Sequence, residues 1–311
     1  MEQRNETSGF ILQGIFNQAG HESLIFSILL FMYLLSLQGN LLIVLLIRCD
    51  AHLLHTPMYF FLSYLALADV GFASCTVPQT LHNLVSRDKT ISYRRCLSQM
   101  FFFLGFGSSD NFLLAAMAYD RYMAICHPLH YTALMNTKRC LLMVSGCWLL
   151  AFLHSTMYTV MFSRLSFCAS REIPHFFCDV YPVLGLSCSD TTPLSMLVMT
   201  EGMLDIMGPF LLIVVSYARI FYTVMRTPSS SSKRKAFSTC GSHLTVVILF
   251  YGTLIWVYLL PSSGNKTLAS LMFTVVAPML NPYIYSLRNK EMKGGLRRLV
   301  GRMQVSLEQG S

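Results

Sequence analysis

Charge is what this sequence has least of. Of 311 residues, 23 are Lys or Arg and 15 are Asp or Glu, so 12% are charged, where soluble domains carry about 25%. So few charges cannot cover the surface of a soluble globule, which excludes a soluble enzyme. With 54% of residues hydrophobic, a disordered chain is excluded as well. A cleavable leader is not expected, because the first 22 residues are polar and the apolar run after them is too long for a signal-peptide core. The first apolar run is therefore read as a signal anchor. Zinc-spaced His/Cys sets, phosphate-binding glycine loops and nucleophile elbows are missing too, so neither an enzyme nor a resident cofactor is expected.

What the chain does have is long apolar runs. Ser23 to Ile47 is 25 residues without one Asp, Glu, Lys or Arg, and about 20 apolar residues cross a bilayer as a helix. Comparable windows lie at 23–47, 58–82, 96–121, 141–162, 196–222, 240–260 and 268–287. They predict an all-α membrane protein, a seven-transmembrane helix bundle over 23–287. An extracellular tail, 1–22, precedes it and a cytoplasmic tail, 288–311, follows. With the N-terminus outside, the inner segments hold 15 of the 23 Lys and Arg and the outer segments 8, the bias expected of cytoplasmic loops. The sequon Asn5-Glu6-Thr7 suits the same orientation as a glycosylation site. The net charge of +8 then faces anionic lipid on the inner leaflet, and no nucleic acid is needed to explain it. An odd number of spans without an inverted repeat weighs against a transporter.

The last segment, 288–304, carries Met292, Leu296, Leu299, Val300 and Met303 at helical spacing with arginines between them. It reads as a short amphipathic eighth helix on the inner leaflet, weakened by Gly294 and Gly295 and without a cysteine for an acyl anchor. Ser229 to Ser232 reads as a flexible loop open to phosphorylation. Met199, Met203 and Met207 recur every four residues and read as adaptable packing, not a metal site. Of ten cysteines, Cys96, Cys168, Cys178 and Cys188 fall on the outer side, which is oxidising. Two disulfides are expected there, and spacing leaves all three pairings open.

Several strings together resemble the odorant receptors, a branch of the rhodopsin-like G-protein-coupled receptors. They are Gly39-Asn40, then Leu54-His55-Thr56-Pro57-Met58-Tyr59, and Met117-Ala118-Tyr119-Asp120-Arg121-Tyr122 running on to Ala124-Ile125-Cys126. Further along come Ser216-Tyr217, Lys235-Ala236-Phe237-Ser238-Thr239-Cys240 with Ser242-His243-Leu244, and Pro278-Met279-Leu280-Asn281-Pro282-Tyr283-Ile284-Tyr285. The resemblance runs from about residue 20 to 303, each string at its predicted membrane depth.

The resemblance implies disulfides Cys96–Cys178 and Cys168–Cys188, folding the long outer loop into a lid. It implies an inner switch in which Asp120 restrains Arg121 beside Tyr122, while Tyr217 and Tyr285 hold the open form. The second acid that other receptors place on span six is replaced here by Lys233-Arg234-Lys235. Asn40, Asp69, Asp110, Asn281 and Pro282 are implied as a polar core, able to hold a sodium ion between Asp69 and Asp110. One protonated acid in a packing network is the alternative. The implied ligand pocket is lined by Phe103, Leu104, Gly107 and Ser108, with Gly107 opening space, and by Val198, Glu201, Gly202 and Asp205. Tyr251, Leu254, Ile255 and Tyr258 continue it on span six, where Tyr251 stands in the place of a more usual tryptophan, and Leu271 and Thr274 on span seven.

Glu201 and Asp205 share a helix face at membrane depth, and intramembrane acids mark functional sites. They could read a basic or hydrogen-bonding odorant, pair with His154, or sit protonated among their neighbours. The implied partners are a small, mostly apolar odorant, a stimulatory olfactory-type G protein acting through cAMP, membrane lipid, export chaperones and arrestin. The implied location is the plasma membrane of olfactory cilia. The alternatives are a non-olfactory receptor for a small metabolite and a small-solute transporter.

Overall fold

A computed structural model describes residues 9–15, 20–167, 170–227, 229–258 and 266–309. Asn5 and Cys168 lie outside the described residues. Seven helical spans cross the molecule. They are α1 (Glu22–Cys49), α3 (Pro57–Ser86), α4 (Tyr93–Cys126), α6 (Thr137–Ser163), α8 (Thr192–Arg226), α9 (Ser230–Tyr258) and a composite last span. That last span joins α10 (Lys266–Leu271), a π turn (Met272–Val276) and α11 (Ala277–Arg288). Short helices α2 (Ala51–Leu54), α5 (Pro128–Leu134) and α7 (Val180–Leu184) lie in the connections, and α12 (Lys290–Gln309) ends the chain.

The helix starts follow capping chemistry. Pro57 opens α3 at its first turn, where the missing N–H costs nothing. Ser92 accepts from Arg95 N to cap α4, and Asn136 accepts from Arg139 N to cap α6. Helix α4 runs through the middle, packed against α3, α6 and α8, with Leu113, Met117 and Ala118 fully buried. The outer helices present broad apolar faces, among them Leu34, Leu149, Leu204 and Ile248, as lipid contact requires. The methionine stripe joins that face, since Met199 and Met203 are exposed.

Gly39 lets α1 approach the last span. A Cβ there would lie 2.7 Å from Pro282 Cγ, and Asn40 next to it donates from Nδ2 to the Pro278 carbonyl at 3.0 Å.

Three features depart from the sequence reading. The outer surface carries a three-stranded sheet in which β1 (Phe10–Leu12) pairs antiparallel with β2 (Thr90–Ile91) and parallel with β3 (Glu172–Ile173). The N-terminal segment read as a polar tail thus buries Phe10 and Leu12 against the outer loops. Second, α9 starts at Ser230, so most of the serine run read as a loop is helical. Third, α12 passes through Gly294 and Gly295 unbroken. The glycine read as a weakness at 295 is a contact point: a Cβ there would meet Leu53 Cδ1 at 2.8 Å. Arg298 locks the same contact, reaching Asp50 Oδ2 with Nη2 at 2.6 Å and Nε at 2.8 Å. Asp50 also caps α2 through His52 N, and its carboxyl is held below the usual range by these donors despite its burial.

Candidate functional site

The outer end is closed by a tethered lid. A disulfide joins Cys96 at the start of α4 to Cys178 in the long loop, with Cα atoms 5.5 Å apart. Gln99, one turn along α4, braces the same point: its Oε1 accepts from Cys178 N and its Nε2 donates to the Cys75 carbonyl, both at 2.8 Å. Cys188 is disulfide-bonded.

Beyond Cys178, Asp179 accepts from Val180 N at 2.8 Å and from the Tyr258 hydroxyl at 3.2 Å. This ties the lid to the outer end of α9. Burial raises the Asp179 carboxyl to about 6, against the pull of these two donors. His175 shares a hydrogen bond through Nε2 with Ser270 Oγ at 2.9 Å, tying the lid to α10, and burial depresses its imidazole to about 4.

Under the lid lies an aromatic layer. Phe103 stacks on Phe72 at 4.8 Å and meets Phe177 at the same distance, and Phe273 links this layer to Phe250 on α9. Gly107 was expected to open space for a ligand. Instead, its missing side chain admits the Phe72 ring, 3.1 Å from where a Cβ would stand. Leu104 packs between the main core and the outer cluster. Leu254 is buried, Ile255 half-buried, and Thr274 is buried with its hydroxyl on the Ser270 carbonyl. Leu271 faces away from this group. It lines a wholly apolar cleft of about 210 Å³ with Ile25, Leu29, Met32 and Val275, where α1 meets the π turn.

Deeper, between α4, α6 and α8, the polar side chains converge. Ser108 donates to Asp205 Oδ2 at 2.9 Å. Asn111 donates to the Asp205 carbonyl and accepts the Tyr251 hydroxyl. His154 Nδ1 stands 4.0 Å from Asp205 Oδ1, beyond hydrogen-bond reach. The ring of Tyr158 sits edge-on to His154 at 4.6 Å, and its hydroxyl donates to the carbonyl of the buried Val198. Glu201 lies half-buried one turn outward from Asp205, beside Gly202, whose Cβ position is open. Asn111 and Tyr158 were not singled out from sequence. The signals for them were a second polar residue next to Asp110 and an aromatic four residues after His154.

At mid-bundle, Asn281 Nδ2 donates to both oxygens of Asp69, at 3.0 and 2.9 Å. Asp110 is buried with Oδ1 lacking a partner, and so are Asn40 Oδ1 and Asn281 Oδ1. Buried oxygens of this kind suit a hard monovalent cation, so the residues present fit a sodium ion.

At the inner end the expected Asp120–Arg121 restraint is not made. Asp120 accepts the Tyr131 hydroxyl of α5 at 2.9 Å, and no described residue forms an ion pair with Arg121, whose Nε is buried without a partner. Helix α5 packs against α4 and brings a phenol to the carboxylate first. Tyr122 pairs with His127 at 2.9 Å. Tyr217 on α8 reaches His243 Nδ1 on α9 at 2.7 Å, and His243 Nε2 reaches the Leu114 carbonyl on α4 at 3.1 Å. Tyr285 is buried with its hydroxyl unpartnered.

Residues 29–303 match the family model described as olfactory receptor. Among similar curated proteins, olfactory receptor 1L4 of Homo sapiens is 53% identical over 306 residues, covering 96% of this chain and 98% of its own. Olfactory receptor 1E2 of Gorilla gorilla gorilla is 52% identical over 303 residues, 96% of each chain. Olfactory receptor 1J1 of Mus musculus is 48% identical over 306 residues, 97% of each.

Proposed function

The chain belongs to the olfactory receptor family, whose members are receptors and not enzymes, and from that premise we propose that it couples odorant binding to a G protein. The ligand is a small, mostly apolar volatile taken up among α4, α8 and α9 beneath the lid. The partner is a stimulatory olfactory-type G protein that raises cAMP. The protein is a multi-pass membrane protein. The N-terminus is outside, the site of action is the ciliary plasma membrane, and export chaperones and arrestin are further partners.

The observation that supports this reading most is the His243 relay. One fully buried imidazole joins α8, α9 and α4 through two hydrogen bonds. An outward swing of α9 breaks both and uncovers Arg121, whose guanidinium is then open to a partner's C-terminal segment. Tyr217 and Tyr285 are the phenols that hold the open form. A sodium ion bound by Asp69 and Asp110, with Asn40 and Asn281 beside them, would neutralise the resting core and leave on activation. Ligand recognition is chiefly burial. At about 25 cal/mol per Å² of apolar area, a small volatile gains only a few kcal/mol, so micromolar affinity follows.

A cAMP reporter in cells expressing the full chain, screened over a volatile panel, tests the reading. Arg121→Ala is expected to abolish the ligand-evoked signal at normal surface density. Undiminished signalling from that variant would overturn it.

A further inference from the structure

We propose that the ligand carries a basic nitrogen, an alkylammonium held between Asp205, Glu201 and His154. The inference rests on the odorant-receptor reading and adds the chemical class of the ligand.

Its ground is a set of unmet hydrogen bonds in an apolar setting. Both ring nitrogens of His154 are enclosed and have no hydrogen-bond partner, although about nine in ten buried polar groups normally find one. The nearest candidate, Asp205 Oδ1, is 4.0 Å away. A neutral imidazole has one N–H donor and one acceptor nitrogen and a carboxylate only acceptors, so the acceptor nitrogen of His154 and the free oxygen of Asp205 are both open to a donor. Asp205 itself receives the Ser108 hydroxyl on its other oxygen alone. Glu201, one turn outward on the same face, adds a second carboxylate. No Lys or Arg stands between residues 96 and 120 on α4, 140 and 163 on α6, or 196 and 218 on α8 to neutralise the pair.

One ligand group answers all of these demands. An ammonium has three N–H donors and a positive charge, enough to serve Asp205, the acceptor nitrogen of His154 and Glu201 together. A hydroxyl brings one donor and no charge, and an alkyl end brings neither. Aromatic walls stand in place for the cation: Tyr158 packs on His154, and Tyr251 is fixed to Asn111 and packed on Phe210 at 4.8 Å. Aromatic faces within about 6 Å favour a desolvated cation. The apolar remainder of the molecule would rest against Leu104 and Leu254.

The test uses hexylamine, hexanol and hexane on cells expressing the full chain with a cAMP reporter and surface staining. In parallel, the thermal midpoint of the purified receptor is measured with each compound. Hexylamine is expected to be more potent than hexanol by about tenfold or more, the scale of a charge-assisted hydrogen bond, and alone to raise the midpoint. Asp205→Asn is expected to erase the difference between amine and alcohol, and Glu201→Gln to reduce it. If hexanol or hexane equals hexylamine in both measurements, the amine assignment is overturned while the odorant reading stands. If hexylamine raises the midpoint and surface-expressed receptor gives no cAMP with any compound, the amine site stands and the coupling reading fails. Absence of both effects with hexylamine overturns the amine assignment.

Discussion

The outer end of the bundle is stitched and the inner end is jointed. Outside, a disulfide, the Gln99 brace, a three-stranded sheet and two lid contacts from Asp179 and His175 bind the long loop to α3, α4, α9 and α10. Inside, α8 and α9 run on past the core, and among the described residues a small cluster, Ile220, Val224 and Cys240, is buried between them. Two polar contacts among the described residues link them to α4 there, His243 on the Leu114 carbonyl and Thr223 Oγ1 with Cys126 Sγ at 3.3 Å. On the proposed reading the ligand enters at the rigid end and the partner docks at the lightly tied one, so a small rearrangement near Tyr251 would become motion at the far end. The low-stability end is where such motion is drawn from.

Breaking the stitched end has the largest expected effect. Cys96→Ser removes the covalent tether, and losing a native disulfide costs about 2–5 kcal/mol. Surface staining is expected to fall to background, and normal staining would show that the lid holds without it.

The jointed end responds differently. His243→Phe deletes both hydrogen bonds, taking the imidazole partner from the Tyr217 hydroxyl at about 1–3 kcal/mol, while the Leu114 carbonyl keeps its intrahelical bond. Receptor still reaches the surface, and ligand-independent cAMP rises several-fold. Basal signalling equal to the parent would mean that the relay does not restrain α9.

The smallest effect sharpens the contrast within the lid. The folded Asp179 holds its proton up to about 6, against 3.8 for the free group. The folded state therefore binds more protons than the unfolded one between those values, and stability falls as pH rises through them. His175 has the opposite sign. Its folded value of about 4 lies below 6.5, so the unfolded state binds more protons in that window and stability rises with pH. In the parent protein the two slopes offset each other between about 4 and 6. Asp179→Asn removes one of them, and the thermal midpoint of the purified variant is expected to climb with pH up to about 6.5. A flat profile in the variant would show that folding does not depress the His175 imidazole.

The spans were legible because lipid imposes a length and a polarity on each one, and 25 uncharged residues in a row leave one reading. The motif around Asn281 was legible because a polar residue in an apolar helix stands out. The outer sheet was not, since strands of two or three residues carry no periodicity. Tyr131 was missed as the partner of Asp120, because a short helix of seven residues gives no sign of which side chain it turns inward. Gly107 was misread for a related reason: a glycine marks close approach, but sequence does not say what approaches.

Composition and order alone determined that this chain crosses a membrane seven times, which acids lie at membrane depth, and which strings tie it to its family. Those are local facts, set by how each segment partitions between water and lipid. Tertiary structure decided which of those acids is already satisfied and which is not. Asp69 has both oxygens on one Asn281 amide, Asp205 has one oxygen on Ser108 and the other 4.0 Å from His154, and Asp110 keeps an oxygen without a partner. A hydrogen bond depends on distances of tenths of an ångström between residues up to 248 positions apart, and only packed helices set those distances.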